Sequence, residues 1–428
     1  MKQAPNKQTF ILFRVLFNCR LYYPIFTVLF LDYGITLEEF SLLNVIWAIS
    51  IVIFEVPSGA LADIVGRRRF VIFSAFLMIL EMLILLLAPR YSSSVFWILL
   101  INRILSGLAE ACASGADEAL TYDSLQSSDK DKEWATLIKT SMTYQSIGML
   151  ITMLLGAFLY DWSLLTKIIP ALGTHFTKDW GLRIPIAINL LLAVYCFRTA
   201  LQFQEVENPK ETNTNSLTSK ILDSFSQIKL VAIQIFKSHS IFSLIIFGFI
   251  LDSTLRMFVT LTTKYYRELN VSESFFGILG ATMALVGTVS SNWAHSFVLK
   301  FDRKTNFTIL YVVTASCFLA MLSIHNYFGL ALVVILSLCM YFLGYFMSYY
   351  LNREAKSDIR ATLLSFKGLS FNLAYAFAGI IYAQVAKASS DNFSETLPFF
   401  YKYLTILLIC GLILNYFHKA RNYNKLTP

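Results

Sequence analysis

Apolar residues in this chain come in long unbroken runs, not in the alternation of a half-buried strand or the one-sided stripe of a surface helix. A helix needs about 20 mostly apolar residues to cross a bilayer core. Runs of that kind cover about 9–31, 39–62, 69–89, 95–120, 136–160 and 183–203 in the first half of the sequence. In the second half they cover about 240–263, 273–298, 306–324, 327–351, 361–386 and 398–418. The pattern predicts an all-α integral membrane protein with twelve transmembrane helices. Spans one, two and four begin about 231–234 residues before spans seven, eight and ten, an offset constant enough to suggest two related halves.

The expected organisation is a six-helix bundle over residues 1–204, a linker over 205–239 and a second six-helix bundle over 240–428. The linker opens on a polar, aromatic-free stretch from Glu205 that should be solvated. From Ile221 to Phe236 the pattern turns amphipathic, with Ile221, Phe225, Ile228, Val231 and Ile235 near helical spacing. Lys220, Lys229 and Lys237 punctuate that segment, which fits a helix lying along the membrane surface better than a span. The short polar N-terminus runs straight into the first apolar run without a convincing cleavage site, so the first span is expected to be retained.

Composition supports this picture. The chain is 56% hydrophobic and 14% charged, with a mean hydropathy of +0.60, whereas soluble domains carry about 25% charged residues. The net charge of +8 sits in short connectors and forms no basic stripe with interleaved aromatics, which argues against a nucleic-acid partner. Its distribution instead orients the protein. Connectors on the side of the termini hold 23 Lys and Arg, and those on the opposite side hold 8. Lys/Arg excess marks the cytoplasmic side, so both termini are expected in the cytoplasm, with the chain in the cytoplasmic (inner) membrane. Cys19, Cys112, Cys196, Cys317, Cys339 and Cys410 all fall in apolar runs without C-x-x-C spacing, and neither a disulfide framework nor a metal site is expected.

The second connector reads Pro57-Ser58-Gly59-Ala60-Leu61-Ala62-Asp63-Ile64-Val65-Gly66-Arg67-Arg68-Arg69. It resembles the G-x-L-A-D-x-x-G-R-R/K signature of the major facilitator superfamily. The resemblance extends over most of the chain. Glu55-Val56-Pro57-Ser58-Gly59 is similar to an E-x-P-x-G lead-in of bacterial members, and Arg103 to Gly107 is similar to an R-x-x-x-G element. Gly115 to Leu125 resembles G-A-x-E-A-L-x-Y-D-S-L, and Asn352 with Arg360-Ala361-Thr362-Leu363-Leu364-Ser365 resembles N…R-A-T-x-x-S. Three features depart from the family pattern. Ile64 stands where a basic residue is common, the second-half copy of the connector is reduced to Asp302-Arg303-Lys304, and the fifth span has Gly148 and Gly156 but no G-P-x-x-G-G. That last element accompanies many drug/proton antiporters.

The resemblance implies two pseudo-symmetric six-helix bundles, with the first, fourth, seventh and tenth spans lining a central cavity. It also implies a conformational latch made of Gly59, Asp63, Gly66, Arg67, Asp123 and Arg360. Asp63 would sit near the start of the eleventh span beside Arg360, and Arg67 would meet Asp123. These contacts would hold the cytoplasmic side shut in one access state.

Ionisable residues inside spans are expensive and are functional candidates by default. Arg14, Arg20, Glu55, Glu81, Arg103, Glu110, Asp117, Glu118, Asp252 and Arg256 qualify. Arg14 lies near a span end, from which its side chain can snorkel to the interface, and Glu118 and Asp123 read as structural. Arg20 lies near mid-span, where an uncompensated charge costs at least ~2.5 kcal/mol. Glu110 lies at similar depth, so the two are expected to face one another or share a solute, with a purely structural pair as the alternative. Arg103, Gly107, Glu110, Ser114, Asp117 and Thr121 recur at intervals of three and four and predict a polar stripe down the fourth span. Asp252 and Arg256 are spaced to pair on one helix face. Asn18, Tyr22, Tyr23, Gln145, Asn372 and Tyr375 are further candidates for solute contact, and Pro24 predicts a bend in the first span.

These features point to a secondary transporter of a small organic solute working by alternating access, as a monomer and without a cofactor. Proton-coupled efflux of an amphipathic or drug-like compound, with Glu110 exchanging the proton, is one form. Import of a nutrient or siderophore is another, and a non-transporting membrane sensor of the same fold is the rival from a different class. No nucleotide-binding G-x-x-x-x-G-K-[S/T] and no H-E-x-x-H occurs, so neither an ATPase nor a membrane metalloenzyme is expected.

Overall fold

A computed structural model describes residues 6–125, 129–175, 177–205, 222, 226, 229–230, 232–323, 327–354 and 360–423, which contain helices and no strand. Most of the linker, including much of the amphipathic segment expected at 221–236, lies outside the described residues, although 232–237 are helical. Among the described residues twelve helices are long and apolar enough to cross a membrane. They are α1 (Lys7–Asp32), α2 (Leu37–Gly59), α3 (Arg67–Leu87), α4 (Val95–Asp123), α5 (Lys132–Tyr160) and α6 (Lys178–Leu201) in the first half. In the second half they are α7 (His239–Glu268), α8 (Glu273–Lys300), α9 (Arg303–Met321), α10 (Gly329–Glu354), α11 (Leu363–Ala388) and α12 (Phe393–Phe417). Large apolar side chains such as Trp97 (64% exposed), Leu191 (69%) and Phe417 (64%) point outward, as surfaces facing acyl chains do.

Two spans are interrupted, and each interruption has a local cause. In α1, regular helix stops at Asn18, and a 3₁₀ turn at Tyr23–Ile25 restarts the chain. Pro24, inside that turn, has no N–H to donate to an unbroken helix. Free backbone groups at this depth must be satisfied by protein. The Leu21 N–H donates to Asn189 Oδ1 of α6 at 3.0 Å. The Leu21 carbonyl lies where Gly156 of α5 leaves room, because a Cβ there would sit 1.8 Å from that oxygen. In α4, the helix ends at Ala113, Gly115 takes a left-handed φ of +74°, and a new helix runs Ala116–Asp123. Ser58 Oγ of α2 donates to the freed Ala111 carbonyl at 2.9 Å.

The helices group into two compact units, each drawing on both halves of the sequence. Unit 1 comprises residues 1–35, 49–224 and 271–284; unit 2 comprises 36–48, 225–270 and 285–428. In unit 1 the end carrying the N-terminus is tied by side chain to backbone. Asn6 exchanges hydrogen bonds with Gln204 at 2.8 and 2.9 Å, and Arg68 donates to the carbonyls of Phe203 (2.6 Å) and Leu201 (2.9 Å). Gly66 makes the α2–α3 turn with φ +110°, and a Cβ would meet the Glu205 carboxylate at 2.8 Å. The opposite end is closed by Arg90 and Arg183, which donate to the carbonyls of Asp32, Leu86 and Ala88 at 2.7–2.9 Å. There, Asp161 caps two helix starts, accepting from Leu164 N at 3.1 Å and Ser274 N at 3.3 Å. In unit 2 the Asp391 carboxylate plays the same part for α2, accepting from the backbone of Leu37 and Glu38 at 3.1 and 3.3 Å.

Gly156→Val is expected to cost more than ~3 kcal/mol, because a backbone carbonyl cannot move aside as a side chain can. Gly59→Ala, with nothing within 4 Å of the added Cβ, is expected to fold normally. Thermal unfolding of both variants in detergent, alongside their size-exclusion profiles, checks the contrast.

Candidate functional site

The break in α1 decides where Arg20 goes. Its guanidinium Nη1 meets both carboxylate oxygens of Glu81 on α3, at 2.8 and 2.7 Å, and donates to Tyr22 Oη at 2.9 Å. Tyr22 donates in turn to Glu81 at 3.2 Å, and Arg20 Nε donates to the Phe17 carbonyl at 3.2 Å. Arg20, Tyr22 and Glu81 are 3%, 2% and 1% exposed. The ion pair of Arg20 is therefore with Glu81 and not with Glu110, which stays within its electrostatic reach. Placing residue 20 by helical periodicity assumes a continuous helix, and four residues here are not helical, so the side chain leaves from a different azimuth. Tyr22 likewise belongs to this buried knot and offers no surface to a solute.

Glu110, by contrast, is exposed, and it has no hydrogen bond or ion pair among the described residues. Glu55 of α2, half-buried, is close enough to repel it, and Tyr23, 36% exposed, lies nearby on α1. Arg103 is 5% exposed, with its guanidinium over the rings of Phe26 (5.2 Å) and Phe30 (5.7 Å). The polar stripe expected along α4 is not continuous, because the bend at Ser114–Gly115 re-aims everything beyond it. Past the bend, Arg14 of α1 meets Asp117 at 3.6 Å and Glu118 at 2.5 Å, so it is paired rather than snorkelling. Asn18 donates to Gln145 Oε1 of α5 at 3.3 Å and to the Arg14 carbonyl at 2.8 Å.

In unit 2, Arg256 pairs with Asp252 one turn away on α7 and donates to Asn372 Oδ1 of α11 at 2.9 Å. It also lies over the Tyr375 ring at 5.6 Å, and Tyr375 Oη is 3.0 Å from Thr260 Oγ1. Lys367 of α11 is within electrostatic reach of both charges. The sequence candidates Asp252, Arg256, Asn372 and Tyr375 thus form one cluster, to which Lys367 and Thr260 are additions. No group of three or more His, Cys, Asp and Glu capable of holding a metal ion occurs among the described residues.

The sequence model of the major facilitator superfamily matches residues 9–379. The chain belongs to that superfamily. No curated protein sequence matches it. Several solved structures share its fold. A mutant form of the nucleoside transporter NupG superposes with a TM-score of 0.72 at 14% identity, covering 95% of this chain and 99% of that one. The D-xylose-proton symporter gives 0.64 at 16%, covering 95% of each chain. A bacterial homologue of the human lysosomal transporter Spinster, inward-facing and unoccupied, gives 0.65 at 13%, covering 99% of this chain and 97% of that one. Membership makes the chain a transporter rather than an enzyme, and transporters of this superfamily carry small-molecule solutes, often with protons.

Of the superfamily's signature residues here, Arg67 Nη1 meets Asp123 Oδ2 at 2.6 Å, both about one-third exposed. Gly66 is the left-handed turn residue described above, and Gly59 faces open space. The side chains of Asp63 and Arg360 lie outside the described residues.

The functional signal most underweighted in the sequence is Glu81. It is the lone charge in the interior of α3, whose mean hydropathy of 2.8 exceeds that of the other spans, and a charge there needs a dedicated partner. Glu81→Ala strands the Arg20 cation and is expected to destabilise by about 3–5 kcal/mol, whereas Arg20→Met with Glu81→Leu together should recover most of that loss. Thermal midpoints of the single and double variants test this. A single variant as stable as the parent would rule out a structural role.

Proposed function

We propose that the chain is a secondary active transporter that moves a small organic solute across the cytoplasmic membrane by alternating access. Coupling runs through Glu110. The observation carrying this reading is the division of labour among the membrane-embedded charges. Arg20 with Glu81, Arg14 with Asp117 and Glu118, and Asp252 with Arg256 all have partners, whereas Glu110 is exposed at mid-span without one. A carboxylate of that kind is available to water and can load and release a proton as access changes, while a paired one is held by its cation. The xylose-proton symporter, similar in fold, is consistent with such coupling.

The solute is proposed to be amphipathic, drug-like and moved outward. The partly exposed face of Tyr23 beside the Glu110 carboxylate suits a molecule with an apolar body and a polar group. Arg67 and Asp123 are proposed to belong to the latch that holds one access state, together with Asp63 and Arg360. By the Lys/Arg count, that end of the helices and both termini face the cytoplasm. The protein works as a monomer in this reading.

A solute found by thermal-shift screening of metabolites and drugs would be used in proteoliposomes. Glu110→Gln is expected to abolish uptake driven by a pH gradient while leaving solute counterflow in place. Unchanged pH-driven transport would remove Glu110 from the coupling step, and absence of counterflow in the parent protein would favour a sensor. A fluorescent protein fused after Pro428 should fluoresce, and alkaline phosphatase inserted at Ser390 should be active; the reverse pattern would invert the proposed orientation.

A further inference from the structure

Unit 2 contains a cavity of about 430 Å³ that none of the candidate transport residues lines. It lies between α7, α9 and α12. Its lining runs from His239 to Leu251 on α7, roughly 18 Å at the helical rise, against about 15 Å for one leaflet of a bilayer core. The floor is apolar and buried, with Leu244, Ile250 and Leu251 each no more than 3% exposed. On α12 the wall ends in an uncovered apolar edge, Leu412, which is 50% exposed. The groove is thus bordered by surface of the kind that meets acyl chains.

Its mouth is cationic. His239, Arg303 and Lys304 line it. Arg303 donates to Ser240 Oγ at 2.6 Å and meets Glu354 at 3.3 Å, while Lys304 is exposed with no hydrogen bond or ion pair among the described residues. Lys237, Lys300 and Arg353 lie at the same end. Among the described residues the acidic ones at this end are Glu354, engaged by Arg303, and Asp302, which caps α9 by accepting from Thr305 N at 3.4 Å and from the Thr305 hydroxyl. One polar group inside the groove also lacks a partner: Asn415 Oδ1 of α12 is shielded from solvent and accepts no hydrogen bond.

An apolar channel one leaflet deep, a cationic rim and an unanswered acceptor beneath it together match one kind of molecule. We propose that this groove holds a single anionic phospholipid. One acyl chain lies along α7 between α9 and α12, the phosphate rests on Lys304 and Arg303, and a headgroup hydroxyl donates to Asn415 Oδ1. A soluble solute would use the rim but not the apolar channel, and a neutral lipid would use the channel but not the rim.

The test is thermal unfolding of delipidated protein in detergent, titrated with short-chain phosphatidylglycerol, with phosphatidylcholine of the same chains, and with glycerol 3-phosphate alone. Phosphatidylglycerol is expected to stabilise saturably and at least about fivefold more potently than phosphatidylcholine, since each cation at a lipid surface is worth roughly that factor. Lys304→Gln should remove about fivefold of that preference, and Leu412→Trp, which fills the channel, should weaken both lipids. Both positions are exposed, so folding should survive, and size-exclusion profiles check it. Equal potency of the two lipids, or indifference to either substitution, would overturn the proposal. A shift reproduced by glycerol 3-phosphate alone would overturn it too, by showing an anion site without a lipid channel.

Discussion

A guanidinium on an unwound turn in the middle of a span is the constraint around which unit 1 is arranged. Arg20 sits at a depth where neither a bare charge nor a bare backbone amide is tolerable. Each requirement recruits a different helix. The charge takes Glu81 from α3, the Leu21 N–H takes Asn189 from α6, and the Leu21 carbonyl takes the bare Cα of Gly156 from α5. Tyr22 closes the group by hydrogen bonding both ions. α1 is thus docked on α3 and α6 by polar contacts, and on α5 by close approach at Gly156; together these fix its rotation and its depth, which apolar packing between lipid-exposed helices would not do alone, since acyl chains compete equally well for apolar surface.

That arrangement also separates two populations of membrane-embedded charge. Buried, mutually satisfied groups hold helices in place. Exposed, unsatisfied groups are free to meet water and solute. Arg20, Tyr22 and Glu81 belong to the first population and Glu110 to the second, although in the sequence they look alike, as polar interruptions of apolar runs. Arg256 stands between them. It is paired with Asp252 and Asn372, yet part of its guanidinium surface is open and lies beside an aromatic face.

Much of this was legible in the sequence, and the rest fails for identifiable reasons. Twelve apolar runs gave twelve helices, because backbone satisfaction in hydrocarbon leaves the chain few alternatives. The Asp252–Arg256 pair was legible because both residues lie on one unbroken helix, where spacing of four fixes a shared face. The partner of Arg20 was not, since spacing carries no directional information across a break, and neither the four-residue interruption nor the bend at Gly115 is announced by more than one Pro or Gly. Lys367 and Asn189 escaped notice for a related reason: each acts on a helix distant in sequence, and a single polar residue in a span does not name its partner.

The two breaks differ in what surrounds them, and the difference bears on movement. At the α1 break Gly156 and Gly148 are in tight contact, with Cβ positions 1.8 and 2.8 Å from the nearest atoms. At the α4 break the neighbours are small and loosely spaced. Ser58, Gly59, Ala111, Ser114, Gly115 and Ala119 surround a gap of about 210 Å³ beside Arg67. Gly115 is required there by its left-handed φ, whereas Gly59 has an ordinary helical backbone and nothing within 4 Å of its Cα face. Neither backbone nor packing in this conformation calls for glycine at 59. If access alternates as proposed, the residue's smallness serves the other arrangement, in which the gap narrows and the missing side chain becomes the room that α2 moves into. On that argument α1 is the fixed part of the bundle, and the α2–α4 contact beside Arg67 and Asp123 is where it deforms.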